Sequence, residues 1–323
     1  MKKYTHAWIA FKAIERLEKV SLNDPDKKPA DGLMQWFLCH KDGVIQGAWY
    51  PDEIIKDNAT SHVLKFTPAQ VGSLEFRKLP ETSLIYRAGK KSPLYNKPYT
   101  LDLGTNLPER CEAMSHSVID NLRIQMAEAK GSPIAPTDNH LALILFMLSH
   151  YIADGHMPLH CDSRKFSDGA GLHGIIEGKW EDEVLAYYDI DFPNERFFYN
   201  KFGYPLLRNE AAGTQYGDSI LSCAEHELNG RAFDPDKYGT GNTNVREYMR
   251  AVCQYAYLLS YGFLPQGYDE TNLNSNNWMV LPGQTINFKD FSTAVLADAI
   301  DSVARVWLRV WRRYLSWRKD VGG

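Results

Sequence analysis

A chain of 323 residues, 44% of them hydrophobic, is long enough for one large domain with a sizeable core, or at most two ordinary ones. Its 36 basic and 40 acidic residues lack the basic excess expected of a duplex-DNA binder, although a nucleic acid gripped at a metal centre is not excluded. Five scattered cysteines (Cys39, Cys111, Cys161, Cys223, Cys253) form no CxxC pair, so free thiols in a reducing compartment are expected, with a cytoplasmic location by default.

The opening Met1-Lys2-Lys3-Tyr4-Thr5-His6 runs directly into an amphipathic segment, so no secretory leader is expected, and no window reaches the ~18 apolar residues of a membrane span. Oligomeric state leaves no trace in the sequence. Residues 5–20 set Ala7, Ile9, Ala10, Ala13, Ile14 and Leu17 on one helical face. Residues 21–32 read as a loop, and 32–48 as a helix broken at Gly43 or Gly47, after which Pro51 opens a new segment at Asp52. The Pro-, Gly- and Lys-rich stretch 64–109 reads as a long connection with a short hairpin. Helices are expected over 111–130, over 140–155 behind the capping run Thr137-Asp138-Asn139, and over 173–190, 217–229 and 244–263. An Asn-rich loop at 268–288 precedes a final long helix over 289–318. Its late Arg305, Arg309, Arg312 and Arg313 suit a helix C-terminus more simply than a membrane surface. The expectation is a mainly α protein, a single multi-helix domain over 1–323 with long irregular connections.

Chemistry concentrates in residues 149–180. His150 and Asp154 are four apart, so a helix presents both on one face. Pro158 should end or kink that helix just before His160, and His173 with Glu177 repeats the spacing on the next helix. One such pair is usually a surface ion pair or a satisfied core histidine. Two pairs and an intervening His within 28 residues are much harder to reach by chance. Imidazole nitrogens and carboxylate oxygens together suit zinc with positions left open for water, and a carboxylate such as Asp154 can bridge two ions. Competing motifs fail: His226-Glu227 lacks the second His of HExxH, no His-Asp dipeptide occurs, and neither GxxxxGK[ST] nor GxSxG is present.

Other residues read as structural. His156 leaves its helix on another side from Asp154, Cys161 reads as a buried inert thiol, His140 sits in a first helical turn where a neutral solvated residue is expected, and His40, His116 and His226 have no second ligand at helical spacing. Trp180 either walls the cleft or packs its helix.

The run from His150 through Asp154 to Pro158-Leu159-His160 resembles the signature of the superfamily joining bacterial zinc-dependent phospholipases C and fungal single-strand-specific nucleases. His173-Gly174-Ile175-Ile176-Glu177 is similar to its next element. His6-Ala7-Trp8-Ile9 looks like the first helix of the phospholipases, and Asp52 and His62 fall where the family places an Asp and a His. The resemblance implies two or three zinc ions. Asp52, His62, His150 and Asp154 would hold one, His160, His173 and Glu177 a second, and His6 with the other oxygen of Asp154 a third. Asp57 is a rival for Asp52. The family closes its third site with a processed amino-terminal Trp. Here Met1 precedes Lys2, whose bulk should protect Met1 from removal, and five residues precede His6, leaving that site empty, differently completed or served by an altered N-terminus.

The implied activity is zinc-dependent hydrolysis of a phosphodiester, either a phospholipid head group or single-stranded nucleic acid. Metal-activated water would attack phosphorus in line, Asp52 would steer or deprotonate it, and Asp154 would bridge ions. The first helix and Glu177 lean to lipid, and His156 leans to nucleic acid. An apolar cleft rim would mark lipid, while stacking aromatics would mark bases. The alternative is a non-catalytic protein of the same fold that keeps zinc as a structural clamp.

Overall fold

The amphipathic opening forms α1 (Lys3–Leu17), which buries Ala7, Ile9, Ala10, Ala13, Ile14 and Leu17 together with Trp8 and Phe11. The computed structural model describes residues 1–69, 79–101, 104–129, 131–164, 171–208, 214–235, 244–264, 283 and 285–320. Helix α2 (Lys27–His40) starts inside the stretch expected to be loop, because a proline such as Pro29 is tolerated in a first helical turn. It ends before Gly43, whose φ of +76° suits a residue without a Cβ. The remainder of the expected 32–48 helix is a separate 3₁₀ turn, Ile45–Ala48. That turn lies so close to the helix later named α5 that a Cβ on Gly47 would stand 2.6 Å from the Leu143 carbonyl oxygen.

Two further turns follow, a π-turn at Pro51–Ile55 and a 3₁₀ turn at Ala59–His62. The connection 64–109 is more ordered than expected. Strands β1 (Phe66–Pro68) and β2 (Tyr99–Leu101) pair antiparallel with Phe66 opposite Leu101, and α3 (Leu84–Gly89) lies between them, capped by the Ser83 side chain. Residues 70–78 and 102–103 of this stretch lie outside the described residues.

Helix α4 (Leu107–Ala127) begins a turn earlier than expected, with Pro108 in its first turn. Thr137 caps α5 (Asp138–His156), its hydroxyl accepting from the His140 amide at 3.1 Å. Pro158 stops α5 and opens the short α6 (Pro158–Cys161). Helix α7 (Leu172–Tyr187) ends before residue 190 because the chain turns into the β3 (Ile190–Asp191) and β4 (Arg196–Phe197) pair, which had not been expected. The short α8 (Thr214–Gly217), α9 (Ile220–Gly230), α10 (Val245–Phe263) and α11 (Phe288–Asp320) complete the order. Most of the Asn-rich loop 268–288 lies outside the described residues.

The architecture is mainly α. Helices α5 and α11 run through the core, and α11 packs on α1, α4, α5 and α9. Arg305, grouped above with the surface arginines of α11, is in fact buried and donates to the Asp234 carbonyl oxygen, while Arg312 pairs with Asp26 at 2.8 Å. No helix among the described residues is long and apolar enough to cross a membrane.

Candidate metal centre

Helix α5 carries His150 and Asp154 one turn apart, both buried. The break at Pro158 returns the chain so that α6 brings His160 back toward Asp154, and α7 adds His173 and Glu177. The N-terminal turn of α1 contributes His6, and the two irregular turns supply Asp52 and His62. All eight residues expected from the sequence are therefore brought together.

Asp154 stands at the middle. Its Oδ2 lies 2.8 Å from His62 Nδ1 and 3.2 Å from His150 Nε2. The Asp52 Oδ1 atom is 3.6 and 3.5 Å from those same two nitrogens. Asp154 Oδ1 faces the other way, 3.1 Å from the Met1 α-amine, 3.5 Å from His160 Nδ1 and 3.6 Å from His6 Nε2. The next cluster joins His160 Nε2 to His173 Nε2 at 3.0 Å and His173 Nε2 to Glu177 Oε1 at 2.8 Å.

Among the described residues, three sets of donors have ligand atoms within 4.8 Å of one another. One is His160, His173 and Glu177, and another is His62, His150 and Asp154. The third differs from the arrangement expected: His6 groups with Asp52 and His150, its ring stacked on that of His150 at 4.0 Å, as well as approaching Asp154. The Met1 amine sits between Asp154 Oδ1 and Glu177 Oε1, the latter at 2.8 Å, where the sequence had offered no donor.

Asp57 takes no place in the cluster. The chain reverses at Lys56 (φ +50°), and Asp57 Oδ2 accepts from the Tyr151 hydroxyl at 2.6 Å and pairs with Arg110 at 3.2 Å.

These donors fit zinc. Ligands ~2.0–2.1 Å from a tetrahedral ion stand ~3.3 Å apart, close to the separations described above. Both ring nitrogens of His6, Nε2 of His62 and Nδ1 of His160 are buried without a hydrogen-bond partner among the described residues, an uncommon condition for buried polar atoms. His150 donates through Nδ1 to the Ala48 carbonyl oxygen at 2.9 Å, which fixes its tautomer and leaves Nε2 for the site.

Charge points the same way. Burial alone would raise the Asp154 carboxyl, yet the Met1 amine, His150 and His160 hold it well below the usual range. Glu177 is likewise held low against the effect of burial, by the amine, His173 and His160. Burial would depress the Met1 amine, but Asp154 and Glu177 push it up to about 11. Against the same burial, Asp154 and Asp52 push His150 up to about 9. Burial, helped by neighbouring cationic groups, brings His160 down to about 3 and His6 well below its ordinary value. The carboxylates thus favour positive charge at the Met1 amine and His150.

A cleft of about 340 Å³ opens over the cluster, lined by Met1, Asp52, Ala59, His62, Val63, Lys65, Asp154, Leu159, His160, His173 and Glu177. Asp52 keeps 47% of its side chain exposed, so that edge is open to solvent. No Phe, Tyr or Trp lines the cleft among the described residues, while Ile54 and Ile55, on the same turn as Asp52, are 64% and 46% exposed.

Two contributors were missed. Glu181 lies one turn beyond Glu177 and accepts from the Tyr4 and Thr5 amides, holding the N-terminus of α1 over the site; its i+4 spacing was the available signal. Lys65 had no signal. Trp180 packs α7 on α11 through Ser292 at 2.9 Å and does not wall the cleft. His156 bonds Ser302 at 2.8 Å away from the cluster, and Cys161 is buried with its thiol pKa pushed up by burial. His140 and His226 are exposed and His40 contacts Asn139. Exposed His116, expected to have no second ligand at helical spacing, in fact pairs with Glu112 one turn earlier at 2.8 Å, a surface ion pair far in sequence from the cluster. The chain matches no protein-family model, no curated protein and no solved structure.

Proposed function

We propose that this chain is a zinc-dependent phosphoric ester hydrolase acting on phosphodiesters, built like the phospholipase C and single-strand nuclease superfamily. The observation that carries the reading is the convergence of imidazole and carboxylate donors on buried Asp154, with both ring nitrogens of His6 and Nδ1 of His160 left unpartnered among the described residues. His62, His150, Asp154 and Asp52 would hold one ion and His160, His173 and Glu177 another, with His6 beside Asp154 Oδ1 at a third. Zinc supplies Lewis-acid charge for the phosphate oxygens and brings the pKa of water toward ~7. Asp154 reaches both halves of the cluster through its two oxygens. Asp52, half exposed at the cleft edge, is placed to orient a water and take its proton.

That exposure also favours a hydrolase over a non-catalytic zinc clamp, since structural zinc sites are closed and catalytic ones keep a position open. Two substrate classes fit the chemistry. Exposed Ile54 and Ile55 favour a phospholipid, and a cation in the cleft, Lys65, favours a polyanionic nucleic acid.

The test is elemental analysis of the purified protein beside its Asp154→Ala variant, with bis(p-nitrophenyl) phosphate hydrolysis measured on both. Near-stoichiometric zinc and turnover in the wild type, both lost in the variant, are expected. Zinc far below stoichiometric with equal weak rates would defeat the reading, and retained zinc without turnover of any diester would favour the clamp.

A further inference from the structure

Independently of the proposed activity, we propose that the groove between the start of α2 and the C-terminal end of α11 binds a long-chain carboxylate, an anionic head carrying a single alkyl tail. None of its lining residues lines the metal cleft, and its volume of about 700 Å³ falls in the range of small-molecule sites. Pro25 and Pro29 supply one apolar wall, and half-buried Trp311 and Leu315 supply the other. The Trp311 ring is held against Trp36 and Tyr314, with centroids 5.7 and 5.4 Å away. Gly32 completes the lining. It is an exposed glycine inside α2, where alanine would favour the helix, and nothing lies within 4 Å of the place its Cβ would take. The bare backbone there lets an alkyl chain lie close.

Charge sets the head group. Lys28, Arg312, Arg318 and Lys319 line the groove against one carboxylate, Asp26, which is buried and already paired with Arg312 at 2.8 Å. Lys28, Arg318 and Lys319 are exposed and have no ion-pair partner among the described residues. The carbonyls at the end of α11 account for Arg318 and Lys319. They do not account for Lys28, which stands in the first turn of α2, where the helix dipole disfavours a cation and no acidic residue offsets it. Its neighbour Lys27 is answered by Asp31 at 2.6 Å, whereas Lys28 is not. Like charges brought from two helices to one groove repel unless an anion sits among them. The apolar walls beside them favour an anion that carries a hydrocarbon tail.

The test titrates the purified protein calorimetrically with decanoate and with decyltrimethylammonium, which share a chain length and differ in the sign of the head. Saturable binding of decanoate at a single site, about tenfold or more tighter than the cation, is expected. Gly32→Leu places a side chain in the open groove and should weaken decanoate about tenfold, with a thermal midpoint near that of the wild type reporting an intact fold. Lys28→Glu combined with Lys319→Glu changes only exposed positions, so it decides the matter whatever Gly32→Leu does to folding. That double variant should weaken decanoate about tenfold and strengthen decyltrimethylammonium. Equal wild-type affinity for the two amphiphiles, or decanoate affinity unchanged in the double variant, would overturn the proposal. So would saturation by an acidic amphipathic peptide with no binding of decanoate.

Discussion

Glu181 on α7 holds Thr5 on α1 twice, one carboxylate oxygen accepting from the Thr5 amide at 2.8 Å and from its hydroxyl at 2.9 Å, while the other takes the Tyr4 amide at 3.0 Å. A buried side chain from one helix thereby satisfies the free amides at the start of another. One turn earlier on α7, Glu177 meets the Met1 amine, so a single helix sets both the N-terminal segment and a donor of the cluster. Glu181→Ala should lower stability by about 2–3 kcal/mol, since it strands two buried amides, and Thr5→Ala by about 1 kcal/mol. Denaturant midpoints measure both. Glu181→Ala should also loosen the His6 arm and reduce zinc content, an effect that a purely local cap would not produce.

Asp52 and Asp57 divide their roles. Asp57 ties down Tyr151, whose ring packs on His62 with centroids 5.0 Å apart, whereas Asp52 faces His62 and His150 directly. Asp57→Asn and Tyr151→Phe should weaken zinc affinity about tenfold, the usual effect of disturbing groups that orient ligands. Asp52→Asn should instead depress kcat much more than zinc content. Competition with a zinc-chelating dye, set beside diester kinetics, separates the two patterns; identical profiles for Asp52→Asn and Asp57→Asn would contradict this division.

Away from the cleft, Asp298 accepts from Ser83 Oγ at 2.6 Å and the Ile85 amide at 2.8 Å, and pairs with Arg231 at 2.7 Å. Burial alone would raise its pKa, but Arg231, Ser83 and neighbouring cationic groups lower it below 3.8. A depressed folded-state pKa means stability that is present above the unfolded value near ~3.9 and lost as pH falls through the lower folded value. The unfolding midpoint should therefore drop steeply below about pH 4. Asp298→Asn should cost about 3 kcal/mol at neutral pH, because it leaves Arg231 short of a buried partner, and should flatten that acid slope. Urea titrations from pH 6 down to pH 2 measure both effects, and parallel slopes in wild type and variant would refute the assignment.

What could be read from the sequence was whatever local helical geometry alone determines. His150 with Asp154, and His173 with Glu177, are four apart, and a helix turns that spacing into one face whatever surrounds it. Capping at Thr137 and the break at Pro158 are equally local. Asp52 and His62 sit on irregular turns, where spacing carries no geometric meaning, and only the resemblance named them over Asp57. The contact of the Met1 amine with Asp154 and Glu177, and the Glu181 clamp on Thr5, depend on α1 packing against α7, a long-range event without a sequence period. The β1–β2 pair joins segments more than thirty residues apart, and α2 began early because its proline falls in a first turn.

Anomalous diffraction at the zinc absorption edge, from crystals of the protein purified in the presence of zinc, would locate the ions. One peak is expected between Asp154 Oδ2 and the rings of His62 and His150, and another among His160, His173 and Glu177. No anomalous density in either place, with the nitrogens of His6, His62 and His160 hydrogen-bonded to ordered water instead, would contradict the zinc assignment.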